Sequence, residues 1–367
     1  MKRVVIDVNS AIPYYVRGWA SGIGNTTISL VSALDKIDNL PFEILLYSQN
    51  TKGVSAKRMG TRFPCRHLYY PYREKWNHAL SKTPIRELLT GYDLYHIPHN
   101  FDWVHCADRT LITLHDALCF SYPEAELDHT FARKHYPKLA KKCRGIITCS
   151  ESSKREIIQY MDIPEKKIDV CYWGIDNTLF HPADTKDQPL YNQPYFLAVS
   201  CSRGRKNTPM LLRAYEKFAR QNPSHYLVVV GAKTISSNTL LQTNLSISKR
   251  VVFLNDVSEQ TLVNLYQHAT ATFFPSRHEG FGLPVLESMA CGTPVVTCPN
   301  SSLPEVGGDA ALYIDPDDMD GMASLMEHFE NGDYDRSTLQ ERCLSQSAKF
   351  SPEHCAQQTL GIYEKYL

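Results

Sequence analysis

Strand-like and helix-like segments alternate along nearly the whole chain, and this alternation limits the fold more than any other feature. In the first half, short apolar runs typical of buried strands occur at residues 4–8, 42–47, 94–97, 110–114, 145–149 and 168–172. Amphipathic segments that indicate helices lie between them, at residues 26–37, 130–142 and 154–161. Such alternation predicts parallel sheets covered by helices.

The second half repeats the same rhythm. Its strand-like runs are residues 195–199, 226–230, 250–254, 270–274 and 294–297, and its helix-like segments are residues 210–221, 258–268 and 317–331. A polar stretch with three prolines, residues 182–194, separates the halves. We therefore predict an α/β chain with two doubly wound, Rossmann-like domains at 1–183 and 184–350, followed by a helical segment at 351–367. Ligands of such domains bind at the carboxyl ends of the strands.

The composition is typical of a soluble globular protein, and we expect the chain to be cytoplasmic. Of the 367 residues, 43% are hydrophobic and 21% are charged, and no apolar run approaches the roughly 20 residues that span a bilayer. The first eight residues predict a buried strand rather than a signal peptide. The eleven cysteines are odd in number and include no Cys-x-x-Cys pair, which favours reduced thiols.

Charge is distributed unevenly, although the formal net charge is zero. Residues 1–180 contain 24 Lys and Arg against 19 Asp and Glu. The excess is concentrated in residues 51–86, where tyrosines and Trp76 are interleaved with the cations. This segment is either a solvated surface or a contact for an anionic membrane or a phosphate-bearing acceptor. Without a recognised nucleic-acid motif we expect no nucleic-acid partner.

Residues 276–296 carry the most specific functional signal. Glu279 and Glu287 lie eight positions apart, with the turn Gly280-Phe281-Gly282 and then Leu283-Pro284 between them. A helix that begins after a glycine turn presents unbonded N–H groups that attract anions, and proline suits its first turn. Because carboxylates bind sugar hydroxyls, the pattern predicts a ligand with both phosphate and sugar.

The same two glutamates have another interpretation, as the acid and base of a glycoside hydrolase. Hydrolases need two carboxylates that flank one bond. Glu287 lies about one turn inside the predicted helix, from where it faces the floor of a pocket rather than a reacting carbon. We therefore favour the binding interpretation.

A second motif, Ser202-Arg203-Gly204-Arg205-Lys206-Asn207, lies between a predicted strand and a predicted helix. Three cations at such a turn are suited to hold a diphosphate. The alternative is a solvated basic turn.

Two further motifs lie in the first half. His115, in Thr113-Leu114-His115-Asp116, follows a predicted strand and is placed either to touch a substrate or to serve in the core. Gly22 and Gly24, in Gly22-Ile23-Gly24-Asn25, come before a predicted helix. They either allow a phosphate or sugar to approach the backbone or form an ordinary turn.

Taken together, these motifs resemble those of the retaining GT-B glycosyltransferases, a family that includes bacterial mannosyl- and glucosyltransferases of polysaccharide assembly. The resemblance covers nearly the whole chain. Its most specific part is the two-glutamate motif at residues 278–287, and the supporting matches are residues 22–24, 147–154, 173–176 and 205–207. It implies two Rossmann-like domains that face each other across a cleft, and a final helix that returns to the first domain.

The resemblance also assigns roles in binding a nucleoside-diphosphate sugar. It implies that Glu287 binds the ribose and Glu279 the transferred sugar. The backbone N–H groups of three residues would assist Glu279: Phe281, Gly282 and Leu283.

Charge neutralisation and closure follow from the same resemblance. Arg205 and Lys206 would neutralise the diphosphate, and Arg203 is a candidate for a further phosphate contact. Gly24, with Gly22, would cover the donor from the first domain, and His115 would face the donor sugar. The nucleobase of the donor would lie near Val257.

The implied activity is retaining transfer of a hexose to a saccharide or lipid-linked saccharide, at the cytoplasmic side of the cell membrane. Residues 113–116 resemble the mannosyltransferase branch, which favours mannose from GDP-mannose over UDP-sugar donors. We expect no cofactor and no metal, because cations and the helix start supply the positive charge. The alternatives are a sugar-nucleotide epimerase of the same fold and a non-catalytic carbohydrate-binding protein.

Overall fold

The computed structural model describes residues 1–18, 21–50, 53–69, 90–99, 104, 106–122, 129–184, 186–199, 204–221, 223–231 and 249–367. It divides into two compact units. Unit 1 consists of residues 1–174 and 351–367, and unit 2 consists of residues 175–350.

The described part of unit 1 contains a seven-stranded parallel sheet. Its strands are β1 (Arg3–Asp7), β2 (Glu43–Asn50), β3 (Cys65–Tyr69), β4 (Leu94–Ile97), β5 (Thr110–Thr113), β6 (Gly145–Thr148) and β7 (Ile168–Val170). They are ordered β3-β2-β1-β4-β5-β6-β7, so the winding direction reverses between β1 and β4. Doubly wound folds bind ligands at such a reversal.

The described part of unit 2 contains a six-stranded parallel sheet. Its strands are β8 (Tyr195–Ala198), β9 (Tyr226–Val230), β10 (Val251–Leu254), β11 (Ala271–Phe274), β12 (Val295–Thr297) and β13 (Leu312–Tyr313). They are ordered β10-β9-β8-β11-β12-β13. The reversal lies between β8 and β11, which places the loops after these two strands side by side.

Helices connect the strands in both units. The described α-helices are α1 (Ile12–Arg17), α2 (Gly22–Asp35), α3 (Leu118–Ser121), α4 (Thr130–Lys142), α5 (Glu151–Met161), α6 (Thr208–Ala219), α7 (Glu259–His268), α8 (Leu283–Ala290), α9 (Leu303–Gly307), α10 (Met319–Asn331), α11 (Arg336–Ser347) and α12 (Pro352–Tyr366). Side-chain caps begin several of them; for example, Ser150 accepts from the Ser153 N–H and Ser258 from the Thr261 N–H. Such caps satisfy N–H groups that the first turn leaves unbonded.

Each sheet is covered on both faces, so its strands are almost continuously apolar. Along β1, Val4 and Ile6 face a cluster built with α2 and α12, whereas Val5 faces a second cluster. Along β8, Phe196 and Leu197 alternate in the same way. This two-residue period follows from strand geometry.

The units divide at residue 174 rather than at the predicted residue 183. The segment in between belongs to unit 2 because of its contacts there. The Ile175 N–H donates to the Phe350 carbonyl over 2.9 Å, and the ring of Phe180 lies 6.3 Å from that of Tyr266. The prolines of residues 182–194 predict a later boundary than the one that these contacts establish.

The final helix α12 groups with unit 1. Tyr363 is fully buried, and its hydroxyl bonds to Nδ1 of His96 on β4 at 2.6 Å. Lys365 pairs with Asp169 on β7 at 2.6 Å. The last helix is therefore a structural part of the unit formed by the start of the chain.

Two elements differ from the sequence prediction. Residues 65–69 form the edge strand β3, although their basic and aromatic composition suggested only a surface segment. Helix α2 begins at Gly22, four residues earlier than predicted, because the Ser21 hydroxyl caps the Gly24 N–H at 3.2 Å. Gly22 and Gly24 thus lie inside the first helical turn and not ahead of it. Much of segment 51–86 lies outside the described residues.

Replacing Gly174 should destabilise unit 1 strongly. A Cβ at Gly174 would lie 2.1 Å from the Ser351 carbonyl carbon and 2.2 Å from the Pro352 nitrogen, and backbone atoms cannot move aside as a side chain can. We expect Gly174→Ala to lower the free energy of unfolding by at least about 3 kcal/mol. Urea denaturation followed by circular dichroism measures the change.

The matched control is Gly361→Ala in helix α12. A Cβ there meets no atom within 4 Å, and alanine favours a helix interior over glycine by about 1 kcal/mol. The control should be as stable as the parent chain or more so. Equal destabilisation by both changes would contradict the close approach at Gly174.

Candidate active site

The loop between β11 and α8 forms the centre of the site in unit 2. Gly282 precedes α8 with a φ of 111°, which side chains rarely adopt. A Cβ there would lie 2.9 Å from a Leu303 methyl group. No hydrogen bond from the backbone N–H of Gly282 or Leu283 to another described residue occurs. The predicted anion-attracting helix start is therefore formed.

Glu279 lies in this loop and is 7% exposed. Its Oε1 atom accepts hydrogen bonds from Arg205 Nη1 at 2.8 Å, from Lys206 Nζ at 2.6 Å and from Ser276 Oγ at 2.5 Å. Within the described ranges, no hydrogen bond reaches Oε2 of the same carboxylate. The structure thus joins three sequence-predicted residues in one buried ionic cluster, which we call the Glu279 cluster.

Sheet topology explains how the cluster forms. Arg205 and Lys206 lie in a 3₁₀ turn after β8, and Glu279 lies after β11, the neighbouring strand. The Arg277 N–H donates to the Arg205 carbonyl at 2.8 Å and joins the two loops. The Lys206 ammonium also lies 4.5 Å from the centre of the Phe274 ring, a favourable cation–π contact.

The cluster keeps Glu279 ionised. Burial raises the pKa of this carboxyl, but Lys206 and Arg205 outweigh burial and hold the pKa below its ordinary value. One negative and two positive side chains leave the cluster with a surplus positive charge. A buried surplus of this kind attracts an anion strongly.

Two serines that the sequence analysis missed hold the loop. Ser301 Oγ accepts from the Glu279 N–H at 2.9 Å, and Ser301 has a φ of 49°. Ser302 is fully buried, and its hydroxyl donates to the Phe281 carbonyl at 2.7 Å. Both follow β12, the next strand of the sheet, and this position at a carboxyl end was the signal available in the sequence.

Glu287 lies one turn inside α8 and has a different environment. Tyr266 donates its hydroxyl to Glu287 Oε2 at 2.8 Å. Desolvation raises the pKa of Glu287 to about 7, although the Tyr266 hydrogen bond and Lys206 act in the opposite direction. Both protonation states are therefore populated at neutral pH.

Of two other predicted donor-binding residues of unit 2, Val257 and Arg203, the structure describes only Val257. Val257 is partly buried in the turn between β10 and α7, and it packs against the cluster that contains Tyr195 and Tyr266. Arg203 lies outside the described residues, so its contribution stays a prediction.

His115 lies in unit 1, directly after β5. It is 7% exposed, and its ring packs 4.9 Å from that of Trp173. Burial and His99 lower the pKa of His115 to about 3, against a smaller opposite effect of the Pro98 carbonyl. The imidazole is therefore neutral over the physiological range.

A cavity of about 30 Å³ lies beside His115. It is lined by His96, Thr113, Cys171, Trp173 and Thr359, among others. This volume accommodates one or two water molecules. Neither ring nitrogen of His115 has a hydrogen-bond partner of normal geometry among the described residues. Both nitrogens are therefore available for a further hydrogen bond.

Another polar group of unit 1 lies at the carboxyl ends of β1 and β4. Asp7 is 3% exposed and contacts His99 Nε2 at 3.0 Å and the Tyr95 hydroxyl at 2.9 Å. No sequence motif marks this group, although Asp7 interrupts the first apolar run.

The described residues contain neither a group of side chains suited to a metal ion nor a helix suited to cross a membrane. Among the described side chains, His, Cys, Asp and Glu nowhere gather in a group of three or more that is suited to a metal ion. None of the helices in the described ranges combines the length and the hydropathy that a bilayer crossing requires.

Family models match both units. Residues 20–179 match the model of Glycosyltransferase Family 4, and residues 182–348 match that of Glycosyl transferases group 1. The two matches together include His115 and the whole Glu279 cluster.

Related sequences agree with the family models. The chain is 30% identical to O-antigen chain mannosyltransferase B of Escherichia coli over 308 residues, which cover 81% of this chain and 78% of that protein. It is 31% identical to O-antigen chain mannosyltransferase RfbU of Salmonella typhimurium, with 60% of each protein covered.

Solved structures establish the fold. Anabaena HepE, solved with UDP and glucose, superposes with a TM-score of 0.73 at 18% identity and with 99% of each chain covered. The trehalose-6-phosphate synthase OtsA superposes with a TM-score of 0.74 at 12% identity, over 100% of this chain and 99% of that chain. With this GT-B fold, the family matches and 30% identity across most of its length to a curated relative, the chain belongs to the group 1 and family 4 glycosyltransferases.

Proposed function

We propose that this glycosyltransferase moves mannose from GDP-mannose to a saccharide or lipid-linked saccharide, with retention of the anomeric configuration. The Glu279 cluster beside an open helix start carries the proposal, because it offers sugar-binding and phosphate-binding groups together. The names of the O-antigen mannosyltransferases that the chain resembles support mannose as the sugar. They also support a saccharide chain as the acceptor. We place the reaction at the inner face of the cell membrane as part of the same proposal.

The donor sugar binds at the Glu279 loop. Oε1 of Glu279 is engaged by three donors, which leaves Oε2 to accept from sugar hydroxyls. The N–H groups of Gly282 and Leu283, together with that of Phe281, bind the donor at the start of α8. Hydrogen bonds between charged and neutral partners at a buried site are worth about 1.5–3 kcal/mol each.

The diphosphate binds to Arg205 and Lys206. Both cations contact Glu279, yet the cluster holds one positive charge in excess, which remains for the phosphates. The positive charge stabilises the negative charge that develops on the leaving nucleoside diphosphate. The protein's own cations and helix start thus supply this stabilisation in a metal-independent reaction.

The bond between the anomeric carbon and the diphosphate oxygen breaks, and the acceptor hydroxyl attacks the anomeric carbon on the same face. The hydroxyl proton passes to an oxygen of the departing diphosphate. Glu279 is a weak nucleophile, because two cations stabilise the negative charge of its carboxylate and keep its pKa low. A short-lived ion pair between the glycosyl cation and the diphosphate therefore accounts for retention better than a glycosyl-enzyme does. The family resemblance implies that His115 also faces the donor sugar, where a neutral imidazole would contribute a hydrogen bond rather than a charge.

The proposed reaction has a direct test. The purified protein is incubated with GDP-mannose, UDP-glucose or a dTDP-sugar, with and without a lipid-linked saccharide acceptor. We expect transfer only from GDP-mannose, and proton NMR of the new linkage should show the donor's α configuration. Conversion of the donor without acceptor would indicate an epimerase instead, and an inverted linkage would contradict retention.

Lys206→Ala tests the diphosphate site. Loss of the ammonium removes the positive surplus of the Glu279 cluster, so kcat/KM for the donor should fall roughly 100-fold or more. The matched control is Lys217→Ala, whose exposed ammonium pairs with Asp320 at 2.8 Å and should leave kcat/KM unchanged. Thermal melts establish that both variants fold. Full activity of folded Lys206→Ala would refute the assignment.

The raised pKa of Glu287 predicts a pH-dependent donor affinity. Ribose hydroxyls donate to the ionised carboxylate, so below about pH 7 binding must first remove a proton, and affinity should fall by up to about tenfold per pH unit. GDP-mannose suits the test because its phosphates do not titrate in this range. Isothermal titration calorimetry in buffers of different ionisation enthalpy measures both affinity and proton release.

Two variants separate Glu287 from other groups. Glu287→Gln should bind the donor more weakly at high pH and without proton release. Glu216→Gln, at a carboxylate that pairs with Arg220, should retain the pH dependence of the parent chain. Donor affinity that stays constant with pH in the parent chain would exclude ribose binding by an ionised Glu287.

A further inference from the structure

Helix α4 of unit 1 is exposed to an unusual degree for its length. Of its residues 130–142, Ala140 alone is buried. The remaining contacts to the unit are made by partly buried positions such as Tyr136 and Leu139. A helix that contributes so little to the core leaves most of its surface to solvent.

Most of the seven exposed positions of α4 are cationic. Five of them are lysine or arginine, no acidic residue occurs in the helix, and the five cations are Arg133, Lys134, Lys138, Lys141 and Lys142. By the 3.6-residue period, Lys134, Lys138 and Lys142 project away from Ala140. Arg133 lies on the same side as Ala140, and Lys141 lies at the border between the two sides. The acidic residues at 124–128 lie outside the described residues.

A large apolar side chain accompanies these cations. Phe131 is 39% exposed, and the helical period places it on the cationic side. Its ring stacks 4.5 Å from the ring of His135. Exposed aromatic rings beside lysines are typical of helices that lie in the interface of a membrane.

The helix is fixed firmly to its unit from behind. Arg133 Nε donates to the Cys119 carbonyl at 2.5 Å, and Lys167 Nζ donates to the Ala140 carbonyl at 3.1 Å. Lys141 pairs with exposed Asp162 at 2.7 Å. By contrast, no hydrogen bond or ion pair to a described residue occupies the side chains of Lys134, Lys138 and Lys142.

We propose that the cationic face of α4 docks unit 1 on an anionic lipid bilayer. The lysine ammonium groups contact lipid phosphates, and Phe131 enters the level of the headgroups. This inference names a surface for the membrane-linked acceptor proposed above and rests on that proposal. The exposed aromatic ring favours a bilayer over a soluble anionic partner, because a polar partner gains nothing from it.

Sedimentation with lipid vesicles tests the proposal without donor or acceptor. The protein is mixed with vesicles of phosphatidylcholine, with or without phosphatidylglycerol. We expect binding only to the anionic vesicles, with release as salt increases. Because each cation near an anionic surface contributes about 1 kcal/mol, the triple variant K134E/K138E/K142E should lower the partition coefficient at least roughly 100-fold.

The matched control is K186E/R213E/K249E, which changes charge equally at exposed positions of unit 2. It should bind anionic vesicles as the parent chain does. Phe131→Ser should weaken binding to a smaller degree. Equal loss in both triple variants, or no loss in K134E/K138E/K142E, would overturn the proposal.

Transfer to a soluble saccharide acceptor separates this inference from the proposed function. K134E/K138E/K142E should retain that activity, because none of the three lysines belongs to the active site. Vesicle binding by a chain without any transferase activity would leave the docking face intact and refute the function instead.

Discussion

A carboxylate buried with two cations, Glu279 with Arg205 and Lys206, is the interaction on which the site depends. An isolated buried carboxylate costs several kcal/mol of desolvation, and its partners offset that cost only in good geometry. Here that geometry follows from the reversal of strand order, which places the loops after β8 and β11 next to each other. The same contacts that stabilise the loop leave the surplus positive charge that a diphosphate requires.

The two glutamates of one motif have opposite electrostatic environments. Glu279 remains ionised because cations surround it, whereas desolvation raises the pKa of Glu287 to about 7. Pairs of carboxyl groups with separated pKa values generally divide roles between them. In the proposed donor complex, this division would place a permanent charge beside the transferred sugar and a titratable group beside the ribose.

Unit 1 combines buried polar residues at the carboxyl ends of its strands with a helix, α4, that contributes little to the core. His115 packs on Trp173, and burial keeps its imidazole neutral. Helix α4 on the same unit presents cations and Phe131 to solvent. A fold with a fully covered parallel sheet allows this, because the other helices supply enough apolar surface to stabilise it.

The sequence by itself determined the two parallel sheets, most strand positions and the motif that contains Glu279 and Glu287, because hydrophobic period and turn residues are local properties. It failed at edge strand β3, where composition resembles a surface segment, and at the start of α2, which depends on one serine cap. Only the tertiary structure decided that Arg205 and Lys206 reach Glu279, that Ser301 and Ser302 hold its loop, and that Glu287 is desolvated. These contacts join residues far apart in the chain, so strand order and burial, rather than local pattern, establish them.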